Sequence, residues 1–398
     1  MGFSIPDLRV MQKGLEACDI AIIGGGPAGC AAAIQLARVG RKVILLEKES
    51  KAHEKVCGGF LSWEAAHYLQ LLGLDLAELG AERIRHVRLI DRQNVIESPL
   101  PFAAWSLSRR RLDEALLQAA ANARAEIRYG DKVTAFSPSG TSWDLSMQNQ
   151  NSMRAKAVLL ASGKHDVRGW PRKNGFPRHC PVQDMIGFKM HFRLTPQQHK
   201  DLHDHVEVCL FNGGYAGLEL VEDEIANLCF VVRRKIYASC GGNWPDLLTW
   251  LVESAPHLQT RLAQAEPLWL RPLAIYGMPY GYLNTQAKIP CGLYRLGDQM
   301  AVIPSFAGDG ISIALHSAML AVEKILKGSG CDAYHAQARL DFKRPVGNAS
   351  LIACLTSFRV GRNIAFQLFQ RLPMLITAGI QRVRLPQVLI RGTDTEAG

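Results

Sequence analysis

The sequence predicts an α/β fold, in which a parallel, doubly wound sheet is interrupted by an inserted antiparallel sheet and followed by a C-terminal helical segment. Three observations predict it. A glycine-rich strand–turn–helix pattern occupies residues 18–47, strand patterns fill 184–233, and a second glycine-rich turn opens an apolar helix pattern at 297–326. In the middle region polar and apolar residues alternate with a period of two or form apolar runs, as in antiparallel strands, whereas the flanking regions have helical spacing. The acidic turn at 222–224 predicts a hairpin between strands at 215–221 and 225–233. A strand is also expected over 127–135 and a single helix over 244–263.

The first pattern reads CDIAIIGGGPAGCAAAIQLARVGRKVILLEKE. It predicts a buried strand at Asp19–Ile23, a tight turn, a helix to about Val39 and a second strand at Lys42–Leu46. Glycines with the GxGxxG spacing between a strand and a helix, followed by an acidic residue at the end of the next strand, form the dinucleotide-binding fingerprint. The N-terminal part of the chain is therefore predicted to be a Rossmann-like, FAD- or NAD-binding unit.

Each fingerprint position has a physical role. Gly24 permits the turn, Gly26 lets the backbone approach a pyrophosphate, and Gly29 lets the helix pack near the strand. The helix N-terminus supplies free N–H groups to the phosphates. Glu47 can accept hydrogen bonds from a ribose 2′-OH and would repel a 2′-phosphate, which disfavours NADP(H). The residues predicted to contact the dinucleotide here are Gly24, Gly26, Pro27, Ala28, Gly29, Glu47 and Lys48.

The second pattern, RLGDQMAVIPSFAGDGISIALHSA, combines a small-residue turn with an apolar helix at Ile311–Leu326. The helix dipole there would stabilise negative charge on a reduced flavin, although the turn alone is also compatible with a cap formed by Asp309. The pattern resembles the GD motif of the FAD-dependent aromatic monooxygenase (hydroxylase) and geranylgeranyl reductase superfamily. The resemblance implies FAD, a glutathione-reductase-like fold, and flavin contacts from Asp298, Pro304, Gly308, Gly310 and Ile311.

Three intermediate motifs extend this resemblance. SLSRRRLDEALLQAA resembles the helix start that places an arginine, here Arg109, near the pyrophosphate or adenosine. VLLASG resembles the strand end that contacts adenosine, which implies contacts from Ala161 and Gly163. EKVCGGFLS resembles the CGG-type loop of the reductase branch, which would place Cys57 and the pair Gly58–Gly59 beside the flavin ring.

The chain also departs from the superfamily. GKHDVRGWPR stands where hydroxylases carry an Asp-Gly pair that helps hold the pyridine nucleotide. This substitution puts direct use of NADPH in doubt, so NADH or NADPH is expected as a transient electron donor at most, and a separate reductase is an alternative. Geranylgeranyl reductases commonly carry a Tyr-x-Trp-x-Phe-Pro motif at the sheet. The corresponding segment here, GGYAGLELV, keeps the Tyr as Tyr215 but lacks the Trp and the Phe-Pro.

Three functions remain open at this stage. The first is hydroxylation of an aromatic or polyketide-like apolar substrate through a flavin C4a-hydroperoxide, which needs a dry pocket. The second is reduction of lipid or isoprenoid double bonds, which needs a general acid. The third is a non-catalytic lipid-binding escort on a flavoprotein fold. The candidate catalytic residues are Cys57, Tyr215 and His165.

The two glycine-rich regions and the inserted strands predict a discontinuous domain organisation. The FAD-binding domain is expected at 1–84, 105–180 and 285–330, the substrate-binding sheet at 85–104 and 181–284, and a basic helical segment at 331–398. Ten cysteines without a CxxC spacing argue against an iron–sulfur cluster, a zinc site or a dithiol pair, and no metal is expected. The absence of a secretory pattern and of a spanning apolar stretch predicts a cytoplasmic protein.

The net charge of +10 is concentrated near the C-terminus. Residues 342–393 contain eight basic and no acidic residues, interleaved with apolar ones, as in amphipathic helices with basic faces. Three interpretations are open: a helical layer packed on the flavin domain, peripheral docking on an anionic membrane surface, or a cover over an opening that admits an apolar small-molecule substrate. Nucleic acid is not expected as a partner, because no known binding motif accompanies the charge.

Overall fold

The computed structural model of the chain describes residues 16–172 and 184–386. Expectations that fall on residues 1–15, 173–183 and 387–398, which include Arg391 of the basic segment and the start of the predicted FAD domain, lie outside the described residues. Among the described residues, no helix is long and apolar enough to cross a membrane.

The described chain contains strands and helices in mixed order. The strands are β1 (Glu16–Ile23), β2 (Val43–Glu47), β3 (Phe60–Leu61), β4 (Glu82–Asp91), β5 (Asn94–Ser106), β6 (Glu126–Tyr129), β7 (Val133–Ser139), β8 (Ser142–Met147), β9 (Ser152–Leu160), β10 (Met185–Arg193), β11 (Asp204–Phe211), β12 (Gly214–Val221), β13 (Ile225–Arg233), β14 (Glu266–Pro267), β15 (Leu273–Tyr276), β16 (Tyr282–Leu283), β17 (Leu293–Arg295) and β18 (Ala301–Val302). The helices are α1 (Pro27–Arg38), α2 (Trp63–Leu71), α3 (Arg109–Asn122), α4 (Pro196–Leu202), α5 (Arg234–Ser239), α6 (Trp244–Ser254), α7 (Pro256–Leu262), α8 (Gly310–Leu326), α9 (Gly330–Thr356), α10 (Arg359–Arg371) and α11 (Met374–Arg382).

The first sheet has the order β6-β2-β1-β9-β8-β7, and β17 also pairs with β9. Its centre is parallel: Ile23 pairs with Leu46 of β2 and with Leu160 of β9. The carboxyl ends of three strands therefore meet at one edge, which is where α/β sheets bind ligands. This parallel sheet with its flanking helices confirms the predicted α/β class.

The second sheet has the order β14-β10-β13-β12-β11-β4-β5-β3, with β15 also paired to β10. All its pairings are antiparallel except β4 with β11. The predicted hairpin between β12 and β13 is present, and Asp223 and Glu224 have φ of 60° and 58° at its turn. Two successive positive φ values are typical of the hairpin turn whose twist matches the flanking strands.

The two sheets have separate cores. Helix α1 packs on the first sheet, and its small residues allow α3 and α8 to contact it closely. Helix α9 packs against α8. One face of the second sheet packs against α6 and α7. Its other face carries Val87, Val206 and Val208, which pack against Phe366 of α10 and Ile376 of α11. The second sheet is therefore covered on both faces.

Two element predictions were wrong in their bounds. The single helix expected over 244–263 is two helices, α6 and α7, because Pro256 disfavours a helical conformation at Ala255, whose φ and ψ are −132° and 78°. The strand expected over 127–135 is broken, because Gly130 has φ of 76° between β6 and β7. In both cases one residue with restricted or permissive backbone geometry ends an otherwise continuous pattern.

A buried ion-pair network holds α7 to the second sheet. Glu207 of β11 is fully buried and accepts hydrogen bonds from Arg261 at 2.7 and 3.1 Å and from His257 at 2.9 Å. Arg88 of β4 adds a contact at 3.2 Å. Burial by itself would raise the pKa of Glu207, but the hydrogen bonds of His257 and Arg261 outweigh it and lower the pKa to about 2.

We expect Glu207→Gln to lower the free energy of unfolding by about 3–5 kcal/mol at pH 7, because it leaves buried cations without their carboxylate. The folded-state pKa lies below the ordinary value, so this stabilisation is complete above about pH 4.5 and disappears as the pH falls toward 2. Denaturant unfolding at pH 7 and pH 3 measures the difference. Glu253→Gln on the exposed side of α6 is the control, and equal losses for both variants at pH 7 would contradict the assignment.

Candidate functional site

The fingerprint turn lies at the carboxyl edge of the first sheet. Gly24 has φ of 109°, and a Cβ built on it would lie 2.5 Å from the carbonyl oxygen of Ala161. A Cβ on Gly29 would lie 1.9 Å from the carbonyl oxygen of Gly24. No side chain fits at either position, because backbone meets backbone there. The turn therefore brings α1 close to the strand ends, as the fingerprint requires.

The N-terminus of α1 opens into free space. Gly26 is its N-cap, Pro27 is in its first turn, and no side chain caps its N–H groups. A Cβ built on Gly26 would lie 3.7 Å from the Nη2 atom of Arg109. A helix end with free N–H groups beside a guanidinium is suited to bind a pyrophosphate. This fit supports the predicted place of Arg109.

Arg109 is held in that position by ionic contacts. Its Nε and Nη2 atoms donate to Asp113 at 2.9–3.1 Å, and Lys55 donates to the same carboxylate at 2.6 Å. Burial disfavours the charged guanidinium, but the carboxylate of Asp113 and the neighbouring Cys57 raise the pKa of Arg109 above its usual value. The cation is therefore both oriented and permanently charged next to the helix end.

Glu47 ends β2 with its side chain 8% exposed. Its Oε2 accepts a hydrogen bond from the N–H of Gly25 at 2.6 Å, and its Oε1 accepts one from the N–H of Glu49 at 3.0 Å. The carboxylate is thus fixed by backbone donors against the fingerprint turn and retains lone pairs for a ribose hydroxyl. Lys48, by contrast, has a half-exposed side chain that pairs with Glu49 at 3.6 Å.

The two glycine-rich signatures, far apart in sequence, meet in space. A Cβ on Gly297 would lie 3.4 Å from the Cβ of Ala28, and the N–H of Gly297 donates to Ser317 of α8 at 2.8 Å. Asp298 follows in a short 3₁₀ helix. Gly163, after β9, has φ of 62° and open space around it, and its carbonyl accepts a hydrogen bond from Gln299 at 2.9 Å. The two motifs are thus neighbours at the carboxyl edge of the first sheet, and the space beside them, called the cleft, is where FAD is expected to bind.

The turn at the other end of the cleft faces the CGG loop. Pro304 leads into a short 3₁₀ helix, Gly308 has φ of 72°, and α8 begins at Gly310. A Cβ on Gly308 would lie 2.7 Å from the ring of Phe60. The buried Asn227 donates from its Nδ2 to the carbonyl of Gly58 and so fixes the loop against the second sheet. Open space remains around Gly310, as a flavin ring against this helix end requires.

Two tyrosines share a hydroxyl partner at this turn. The Tyr215 hydroxyl is hydrogen-bonded to the Ser305 hydroxyl, and the Tyr280 hydroxyl is hydrogen-bonded to the same oxygen at 2.6 Å. Burial is the main cause that raises the pKa of both tyrosines above the ordinary value. Both phenols are therefore neutral, and they provide hydrogen-bonding groups beside Pro304.

Glu219 is a buried acid beside the CGG loop. It lies on β12 on the same face as Tyr215, is 3% exposed, and its Oε1 has no hydrogen-bond partner within the described residues. A Cβ on Gly58 would lie 3.5 Å from that oxygen. Burial, followed by the proximity of Cys57, raises the pKa of Glu219 well above the ordinary value, although Lys189 opposes the shift. Burial at this position therefore favours the protonated carboxyl over the carboxylate.

A cavity of about 300 Å³ begins at this turn. Gly58, Tyr215, Glu219 and Tyr280 line the end of the cavity beside Pro304 and Gly308, which is called the flavin end because the flavin ring is expected there. From there it runs between the second sheet and the C-terminal helices along mainly apolar side chains, which include Val87, Leu89, Val206, Val208, Phe366, Phe369, Ile376 and Ile380. Ligand sites of this kind are mostly apolar with a few convergent polar groups.

The structure brings one of the three candidate catalytic residues into the cavity. Tyr215 lines it, whereas Cys57 is next to the Arg109 guanidinium and is not among the lining residues, although Gly58 is. His165 is exposed in the turn after β9. Partial desolvation by the surrounding turn, then the charge of Lys48 and other nearby cations, lowers the pKa of His165. His165 is thus near the nucleotide end of the cleft and is not brought together with Tyr215.

Sequence reasoning missed Glu219, Tyr280 and Asn227. A signal existed for Glu219, because in GYAGLELV it is four residues after Tyr215 and strand alternation puts both on one face. Tyr280 lies in a segment without regular structure, and Asn227 lies on the neighbouring strand β13. Their positions depend on the pairing of strands and on the approach of the GD turn, which no local pattern specifies.

The purified protein is expected to carry FAD, and Glu47→Arg is expected to lose most of it, because a cation replaces the acceptor fixed at the turn. FAD released by heat and measured by absorbance or fluorescence gives the occupancy. Glu49→Arg, which changes the charge equally at a half-exposed side chain two residues away, is the control. Full FAD occupancy in the Glu47 variant would contradict the assigned contact.

Comparison with known proteins agrees with this geometry. Residues 19–170 match the model of the FAD dependent oxidoreductase family. A menaquinone reductase of Mycolicibacterium smegmatis is 31% identical over 160 residues, which covers 38% of this chain and 39% of that protein. Monooxygenase 1 of Arabidopsis thaliana is 26% identical over 361 residues, 80% of this chain and 81% of that one.

The structure of the flavin-dependent brominase Bmp2 superposes with a TM-score of 0.75 at 19% identity, over 95% of this chain and 98% of that one. The chain thus shares the fold of Bmp2 nearly throughout, whereas its match to the menaquinone reductase spans about two fifths of that relative. The nucleotide-binding region of the chain thus matches the FAD dependent oxidoreductase family, and the residues around the fingerprint turn fit FAD as the cofactor.

Proposed function

We propose that the protein is a monooxygenase that hydroxylates a phenolic ring carrying an apolar chain. The observation that carries the proposal is the shape of the cavity, which has polar groups at its flavin end and a long apolar extension under α10 and α11. A small phenol would leave this extension unfilled, whereas a plain hydrocarbon would form no hydrogen bond with the two tyrosine hydroxyls beyond the ones they make to Ser305. A molecule with a phenolic head and an apolar tail satisfies both ends.

The polar end orients the ring. Tyr215 and Tyr280 are neutral, and both hydroxyls are already hydrogen-bonded to the Ser305 hydroxyl. Each tyrosine hydroxyl can still form a further hydrogen bond, and the contact with Ser305 orients it. A phenolic oxygen bound there would fix one carbon of the ring next to Pro304 and Gly308. Holding the reacting groups in this way accounts for much of the rate increase of an enzymatic reaction over the same reaction in solution.

The apolar wall excludes water and holds the tail. Phe366 and Ile376 are 5% and 8% exposed and contact Val87 and Ile96 across the cavity region. Exclusion of water prevents the loss of reactive intermediates by hydrolysis and strengthens the polar contacts at the flavin end. When bound and reduced, FAD supplies the electrons that activate O₂ for insertion of one oxygen atom. The relative aligned over most of this chain is a monooxygenase.

A second candidate is reduction of a carbon–carbon double bond in an apolar lipid. Glu219 favours it, since a protonated carboxyl next to the flavin end can donate the proton that follows hydride transfer. A relative aligned over 38% of this chain is a menaquinone reductase. The same cavity would accept an isoprenoid chain, so the two candidates differ in the chemistry at the ring end and not in the fit of the tail.

Incubation with an alkylphenol, an electron donor and ¹⁸O₂ is expected to give a product with one labelled oxygen, detected by mass spectrometry. Tyr215→Phe and Tyr280→Phe are each expected to raise KM for the phenol, by about five- to tenfold for the loss of one hydrogen bond of 1–1.5 kcal/mol. An unlabelled product that has gained two hydrogens would overturn the proposal in favour of the reductase. FAD binding without turnover of any phenol or prenyl lipid would favour an escort.

Glu219→Gln separates the two candidates further. For a hydroxylase we expect kcat to change by only a few fold, because the amide keeps the shape of the pocket. For a reductase we expect a loss of about a hundredfold or more, because the amide cannot supply the proton. Glu224→Gln in the exposed turn after β12 is the matched control. FAD content and steady-state kinetics of both variants provide the comparison.

Free NADPH or NADH is expected to reduce the substrate-free flavin slowly. The segment after β9 that replaces the Asp-Gly pair is engaged internally: Lys164 donates to the carbonyl of Val56 at 3.4 Å, and Arg172 pairs with Asp166 at 3.0 Å. Stopped-flow absorbance with and without a phenolic substrate tests this expectation. Reduction of the substrate-free protein at tens per second would contradict it and would show that no separate reductase is needed.

A further inference from the structure

The outer face of the C-terminal helices is strongly apolar. Along α10, Val360, Ile364 and Leu368 recur at intervals of four residues, so they form one stripe, and they are 70%, 62% and 46% exposed. Phe358, just before α10, and Met374, at the start of α11, are 56% and 71% exposed. These five residues are called the outer stripe. Exposed apolar side chains in such a series mark a surface that binds something.

The opposite side of α10 is already used. Arg362 and Phe366 are buried, and Arg362 reaches Asp91 of β4 at 3.7 Å. Phe366 and Phe369 line the cavity. The helix is therefore apolar on two faces, one packed on the second sheet and one exposed. A helix that only covered the sheet would carry polar residues on its outer face.

The charge around the outer stripe selects its partner. Arg359 and Arg371, at the two ends of α10, are exposed, as are Lys343, Arg344 and Arg382. No acidic residue occurs anywhere from 342 to 393. A second copy of the chain would present the same positive charge and be repelled. An apolar stripe flanked by cations is instead complementary to a bilayer with anionic headgroups.

We propose that α10, with the adjoining ends of α9 and α11, docks on the surface of an anionic lipid bilayer. The outer stripe enters the boundary between headgroups and acyl chains, and Arg359 and Arg371 contact lipid phosphates. The docking is peripheral. Since the same helix lines the cavity on its inner side, docking places the cavity wall against the bilayer, from which an apolar molecule can pass to the flavin end. The proposal holds for either candidate reaction.

The test is cosedimentation of the FAD-loaded protein with vesicles of phosphatidylcholine alone and of equal parts phosphatidylcholine and phosphatidylglycerol. We expect binding to the mixed vesicles that weakens at high salt, and much weaker binding to phosphatidylcholine. Val360→Asp with Ile364→Asp is expected to reduce binding to the mixed vesicles by at least about tenfold, because two apolar contacts are replaced by anions. Leu270→Asp, at a residue that is 99% exposed in the loop between β14 and β15, is the matched control and is expected to bind as the unmodified protein does.

FAD content and gel filtration accompany each measurement, so that a folding defect is recognised. If the double variant loses FAD, Val360→Ser with Ile364→Ser replaces it. Absence of binding to mixed vesicles, or equal binding by the double variant and the Leu270 control, would overturn the proposal. So would a concentration-dependent dimer that the double variant abolishes, since the outer stripe would then be an interface between two copies.

Discussion

The site depends on contact between backbone and backbone at the carboxyl edge of the parallel sheet. Gly24 lies against the carbonyl of Ala161, and Gly29 lies against the carbonyl of Gly24, with no room for a Cβ at either position. This contact fixes where α1 begins. The start of α1 in turn fixes the space for the pyrophosphate, the distance to Arg109, and the approach of Gly297 to Ala28. The nucleotide end of the cleft therefore depends on interactions that involve almost no side-chain choice.

The strand, turn and helix at this end could be predicted from the sequence because their determinants are local. A strand, a turn and a helix in register with Glu47 form a pattern that a linear reading can recognise, and Glu47 contacts the turn that the pattern defines. The reaction end was predicted less well. Glu219, Asn227 and Tyr280 come from three separate segments of the chain, and their proximity follows from strand register and from the packing of the GD turn against Phe60. Such contacts between distant segments leave no periodic signal. His165 was selected by residue type, and type alone does not determine position.

The two faces of the antiparallel sheet perform different tasks. On one face Glu207, Arg261 and His257 tie α7 to the strands with buried charge. On the other face the strands present valines and leucines, and Tyr215 and Glu219 are among its polar residues near the flavin end. Strand alternation lets one sheet carry a rigid ionic anchor on one side and an apolar binding wall on the other. The wall can therefore vary in shape with little effect on the anchor.

The C-terminal helices are linked directly to the turn beside the flavin. Arg384, just after α11, is hydrogen-bonded to Asp309, the residue that precedes α8, and its guanidinium lies 4.7 Å from the ring centre of Phe102. Burial, and then the charge of Asp309, raises the pKa of the nearby Glu64 to about 7. One cation thus faces two buried carboxyls, which favours a single negative charge shared between them near neutral pH. Through Arg384, the helices that cover the cavity are held by the turn where the flavin ring is expected, so the cover and that turn are linked by one charge contact.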